Sequence, residues 1–200
     1  MLQIENLQAK ESGDALRSLA PWESQTQGRQ ATEMLQELLN QRTTPMREAA
    51  IKGANATGNL KGLPVALQAS GPLYNPANAG NDLVEGAVNN FMDEVAKWTS
   101  ANSGVIDAKA LEALRKNAVN ATIAKLRPGA DATTQRKMAA GVLSDIKPII
   151  DNAIEQAGGT GWKNYLAEHA AGMQDINKTK LAGKALELWR TNKQAFVDFV

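Results

Sequence analysis

The sequence predicts an all-α fold: a multi-helix bundle of antiparallel amphipathic helices, interrupted by one irregular Gly/Pro-rich loop near residues 57–81. Three observations predict it. Apolar residues recur at steps of three and four through most of the 200 residues, the period of one helix face. Capping side chains and Gly or Pro stops fall between those runs. Aromatics make up only 4% of a chain that is 43% hydrophobic, a composition that suits close helix-on-helix packing better than a β-sandwich.

Residues 1–20 read as a helix carrying Leu2, Leu7, Leu16 and Leu19, with a break at Ser12-Gly13-Asp14 and an end at Pro21-Trp22. Trp22 sits among polar neighbours and is a candidate anchor for a partner, although a tryptophan closing a helix corner is the commoner case. From Gln30 to Ala56 the stripe Met34, Leu35, Leu38, Leu39, Met46, Ala49, Ala50 and Ile51 predicts a long helix bent at Pro45. Gly58, Gly62, Pro64, Gly71, Pro72, Pro76 and Gly80 then exclude a long helix. Leu63, Val65, Leu67, Leu73 and Tyr74 are too apolar for a solvated linker, so this loop is expected to lie against a neighbouring surface. Three regions follow: N-terminal helices over 1–56, the loop over 57–81, and a helical bundle over 82–200 that continues into a longer polypeptide or ends in a docking tail.

Asn81-Asp82 caps a helix with the stripe Val84, Ala87, Val88, Phe91, Val95 and Trp98. Asp107 opens the next, through Leu111, Leu114, Ala118, Val119, Thr122, Ile123 and Leu126, and Pro128-Gly129 ends it. Asp131 is the expected start of another, whose stripe runs Met138, Val142, Ile146, Ile149, Ile150, Ala153 and Ile154 and faces a core or a partner. Pro148 within it predicts a kink, or a helix that restarts there. Ala157-Gly158-Gly159 supplies a left-handed stop, and Thr160 is the expected cap of a third helix bearing Trp162, Tyr165, Leu166, His169, Ala170, Met173, Ile176, Leu181, Ala185, Leu188 and Trp189. Short turns make these three antiparallel neighbours. A break at Arg190-Thr191-Asn192 precedes an apolar tail with Phe196, Val197, Phe199 and Val200. The candidate interaction residues are Trp22, Val142, Ile146, Ile150, Ile154, Trp162, Tyr165, Trp189, Phe196 and Phe199.

Chemistry finds little support, and the chain reads as no enzyme. With no cysteine there is neither a disulfide nor a thiolate site, and one histidine, His169, has no second histidine to complete a metal centre. Asp82/Glu85 and Asp93-Glu94 are acid pairs without an aromatic sugar groove beside them. Gly158-Gly159-Thr160-Gly161 precedes Lys163 with the wrong spacing for a phosphate loop and follows a helix instead of a strand. Ser70 and Ser103 are turn residues with no activating base. No catalytic residue, cofactor, metal or small-molecule substrate is therefore expected. A net charge of +1 argues against a general nucleic-acid surface. The basic pairs Arg115-Lys116, Lys125/Arg127 and Arg136-Lys137 have Glu112, Asp131 and Asp145 nearby, so they read as mixed, solvated faces. The N-terminus lacks the basic and apolar regions of a signal peptide, and no run has the length of a membrane span.

The run from Ile149 to Leu166 (IIDNAIEQAGGTGWKNYL), continuing through Met173-Gln174-Asp175-Ile176-Asn177 to Lys184-Ala185-Leu186-Glu187-Leu188, resembles a segment of internal virion, or DNA-ejection, proteins of short-tailed bacteriophages. The resemblance covers mainly residues 104–200, and its motif is a helix, Gly-Gly, then Trp-x-x-Tyr. It carries over no catalytic residue. It implies a virion component that forms homo-oligomers, meets portal, tail or other ejection proteins, contacts DNA transiently, and acts in the virion and then at the host cell envelope during infection. The alternative is a helical partner-binding or adaptor domain of a bacterial or other virion protein, with Trp22 and the 58–80 loop as contact sites. A cell-wall-cleaving domain is a third reading without residues to support it.

Overall fold

The computed structural model describes residues 25–57, 69–101, 106–129 and 132–199. Of these, 88% are helical and none lies in a strand, so the fold is all-α. The helices are α1 (Gln25–Thr57), α2 (Asp82–Ala101), α3 (Ala108–Leu114), α4 (Ala121–Leu126), α5 (Thr134–Gln156), α6 (Trp162–Thr191) and α7 (Lys193–Phe199). A π-helical stretch, Arg115–Asn120, joins α3 to α4 without a break. Two short turns, Gly71–Tyr74 and Pro76–Asn78, precede α2. The chain divides into two compact units, the residues up to Pro45 together with those from Tyr165 onward, and Met46–Asn164. The boundaries between the two units fall inside α1, at Pro45, and within the first turn of α6.

The Met46–Asn164 unit holds the larger core. α5 packs against α2 and against α4, and its stripe Val142, Leu143, Ile146, Ile150 and Ile154 is buried together with Val84, Val88, Phe91, Val95, Leu111 and Val119. Burying each such side chain contributes about 1.5–3 kcal/mol. Local chemistry fixes the helix starts. Asn81 Oδ1 accepts the N–H groups of Leu83 and Val84 at 3.2 and 3.3 Å. Asp107 caps α3 through the Lys109 N–H, and Asn55 of α1 accepts the Ala108 N–H at 2.8 Å. Arg47 clasps Glu112 with two hydrogen bonds, the longer at 2.9 Å, which ties α1 to α3.

Several expectations change. Thr133, not Asp131, caps α5, and Asp131 lies outside the described residues. α5 does not restart at Pro148 but runs through it, and Ser144 Oγ donates to Ala140 O at 2.8 Å in the turn before it. Trp98, at the end of the α2 stripe, is 42% exposed. In the loop, Leu63, Val65 and Leu67 lie outside the described residues; Leu73 is half-buried, but Tyr74 is 81% exposed rather than covered.

The turn from α5 to α6 is built from glycine. Gly159 N–H donates to Ile154 O and Gly158 N–H to Glu155 O, both at 3.0 Å, the pair of bonds that closes a helix through a left-handed residue. Gly158 and Gly161 have φ of 102° and 88°, a region that side-chain-bearing residues rarely enter. A Cβ on Gly159 would lie 2.6 Å from Ile154 O and 3.1 Å from Ala50 O, and one on Gly53 would lie 2.6 Å from Gly158 O. This close approach seats the turn on α1. Thr160 does not cap α6; Glu155 does, accepting the Lys163 N–H at 3.0 Å and pairing with the Lys163 ammonium at 3.4 Å.

Candidate interaction surface

Within the unit formed by residues up to Pro45 and from Tyr165, the first part of α1 runs antiparallel to α6. Leu39 presses on Gly172, Arg42 reaches Glu168 at 3.3 Å, and Gly28 and Thr32 line one cleft with Thr179 and Gly183. Small residues let the two backbones come close. Thr32 and Thr43 turn their hydroxyls onto the Gly28 and Leu39 carbonyls of their own helix, both at 2.8 Å, so neither is an unsatisfied buried group. α6 stops at Asn192, whose Oδ1 accepts the Ala195 N–H at 3.0 Å and starts α7. The return brings Phe199 under the Lys184 ammonium, 5.0 Å from the ring centroid.

Among the described residues of this unit the fully covered apolar side chains are Leu39, Ile176, Ala182, Ala185 and Leu186, with Trp189 partly covered against Ala182 and Leu186. By contrast Met34 is 66% exposed, Leu35 39% and Leu38 55%. At about 100° per residue these three lie on a single flank of α1, adjoining the face that carries Leu39. Leu181 on α6 and Val197 on α7 are also open, at 58% and 67%. A pair of helices with an uncovered apolar flank is the usual geometry of half a bundle. Beside it, the α1/α6 cleft of about 500 Å³ carries charges of both signs, Arg29, Lys180 and Lys184 with Glu33 and Glu187.

The candidate residues fall elsewhere. Val142, Ile146, Ile150 and Ile154 are buried within a single chain, so the stripe expected to meet a core or a partner lies in the core of the Met46–Asn164 unit. Trp162 is 1% exposed and donates its indole N–H to Asp151 Oδ1 at 2.8 Å. Tyr165 is half-buried, its ring tilted 53° to His169 at 5.8 Å. Trp189, Phe196 and Phe199 are half-buried, and Trp22 lies outside the described residues. Sequence reasoning placed Met34, Leu35 and Leu38 in a helix face but not on the surface; their signal was a stripe wider than one neighbouring helix can cover.

The polar cluster around Trp162 is structural. Arg115 Nη2 donates to Asp151 Oδ2 at 3.1 Å, while Arg115 Nε approaches Oδ1 at 2.8 Å as an ion-pair contact without hydrogen-bond alignment. Asp151 is 7% exposed. Burial, and then the Arg115 charge, push Lys147 below its ordinary lysine pKa, with Asp151 opposing them. Arg115 and Asp151 partner each other, and neither lines the α1/α6 cleft. Among the described residues no three His, Cys, Asp or Glu side chains are grouped to hold a metal, and no helix is long and apolar enough to cross a membrane. Comparison with protein-family models, with curated proteins and with solved structures gave no match.

Proposed function

We propose that this chain is a structural assembly module whose working surface is the Met34, Leu35 and Leu38 flank of α1, and that its occupant is a second copy of the same chain. The observation that carries this reading is the exposure of three large apolar side chains on one flank of α1, beside a pair of helices whose described residues bury few large apolar side chains. Two such units packed together complete a four-helix arrangement and bury the flank. The mixed-sign rim supports a like partner: Arg29 and Lys184 on one copy complement Glu33 and Glu187 on the other.

The resemblance over residues 104–200 sets the biological context of this reading: a structural component of a tailed-phage virion, of the internal or ejection type. It would assemble near the portal or tail and help deliver DNA through the host envelope. The absence of cysteine is compatible with passage of an unfolded chain through a channel, since no cross-link would have to be reduced. The test is the composition and architecture of purified particles. The chain is expected there in several copies, in contact with the portal or tail, and encoded beside portal and terminase genes. A chain missing from particles, and encoded among unrelated cellular genes, would replace this context with that of a cellular adaptor domain.

A further inference from the structure

Lys125 and Arg127, at the end of α4, and Arg136, in α5, line one open cleft of about 470 Å³, and Ala124 is the other described residue that lines it. Among the described residues none of the three side chains pairs with a carboxylate. Of the other basic residues read as parts of mixed faces, Arg115 is differently placed, because it is committed to Asp151, while Glu112 is committed to Arg47. Arg127 adds a second observation. It closes α4 with φ 46° and ψ 64°, the one described residue other than glycine at positive φ, in a position where glycine costs least. A bulky cation is held in a strained conformation where local folding favours none, a pattern found where the side chain has a task.

We infer that this cleft is a docking surface for the phosphodiester backbone of a nucleic-acid duplex. Three cations converging on a concave site match a row of phosphates, which are spaced a few ångströms apart along a strand. Among the described residues no aromatic side chain lines the cleft to stack on an unpaired base, and no large apolar one to enter a bilayer, so a single strand and a membrane surface fit it less well. Contact through phosphates alone is independent of base sequence. The inference uses the Met46–Asn164 unit only, so it stands or falls apart from the self-association reading.

The test is fluorescence anisotropy of a labelled mixed-sequence duplex of about 30 base pairs, titrated with the full chain between about 50 and 200 mM salt. Three phosphate contacts give a plot of log affinity against log salt with a slope of about −2.7. Combined Lys125→Gln, Arg127→Gln and Arg136→Gln substitutions should bring that slope near zero and weaken low-salt binding about tenfold or more. Removing three exposed cations elsewhere, by Lys52→Gln, Lys109→Gln and Lys178→Gln, should leave slope and affinity largely intact. Arg127→Gly separates the site from folding: it should raise the thermal midpoint while weakening duplex binding and reducing the slope by about one. Absence of duplex binding at the lowest salt, or equal losses in both triple variants, would overturn the inference. So would vesicles of anionic and zwitterionic phospholipid that bind through these three residues while duplex binding ignores them.

Discussion

The indole N–H of Trp162 donates to Asp151 at 2.8 Å, from the first residue of α6 to the last full turn but one of α5. This bond crosses the glycine turn and places a tryptophan, the bulkiest fully buried side chain among the described residues, over a carboxylate that also holds Arg115. Three groups of different character are satisfied by one another, and removal of the shared acceptor orphans the other two.

Asp151→Ala should therefore be among the costliest substitutions in the chain, at about 2–4 kcal/mol, because it leaves a largely buried guanidinium and an indole N–H without their partner. Arg115→Met should cost clearly less. It removes the desolvated cation itself, and Asp151 keeps the Trp162 bond and the nearby Lys147 charge. Urea denaturation of the three proteins decides this, and equal costs would show that the acceptor is not what matters.

Glycines should separate by their surroundings. Gly159→Ala forces a Cβ against Ile154 O and Ala50 O, and overpacking of this kind costs about 1–3 kcal/mol. Gly86 and Gly141 lie exposed within α2 and α5 with nothing near the added carbon. Alanine at either should stabilise the protein by about 0.5–1 kcal/mol, by limiting the unfolded chain. Thermal midpoints of the three variants provide the comparison.

Lys147 gives the stability a pH signature. Its folded pKa lies below its ordinary 10.5, chiefly through burial, so between the two values the unfolded chain binds more protons and stability rises with pH. The charged form is a liability near neutrality that deprotonation relieves. Lys147→Met should raise the urea midpoint at pH 7, and its advantage over the parent should shrink as pH climbs toward 10.5. An advantage that stays constant over that range would mean the ammonium is not strained.

Much of the fold was legible in the sequence because core stripes and caps are local signals. The runs Val84 to Val95 and Val142 to Ile154 are buried as their spacing implied, Asn81 and Asp107 cap the helices they precede, and Asn192 separates α6 from α7. Even the π turn left a trace, since the buried residues Leu114 and Val119 are five apart rather than three or four. Long-range features left none. The cap on α6 comes from Glu155, the stop on α5 depends on Ala50 and Gly53 far upstream, and both required knowing which elements meet.

The interaction surface was the least legible part. Periodicity shows that Met34, Leu35, Leu38 and Leu39 share an apolar side of α1, but not that one neighbouring helix covers Leu39 and leaves the others open. For the same reason the α5 stripe, which looked equally able to meet a partner, is consumed by the core. A stripe reports that burial is favourable; only the arrangement of the other helices decides where it occurs.

The most direct measurement is light scattering of the full chain over a range of concentrations, beside a variant carrying Met34→Gln, Leu35→Gln and Leu38→Gln. All three side chains are exposed, so the variant should keep its helical circular dichroism while its mass falls from a dimer or larger assembly to that of a monomer. A parent protein that remains monomeric at high concentration, or a variant that assembles as the parent does, would contradict the assignment of this flank to self-association.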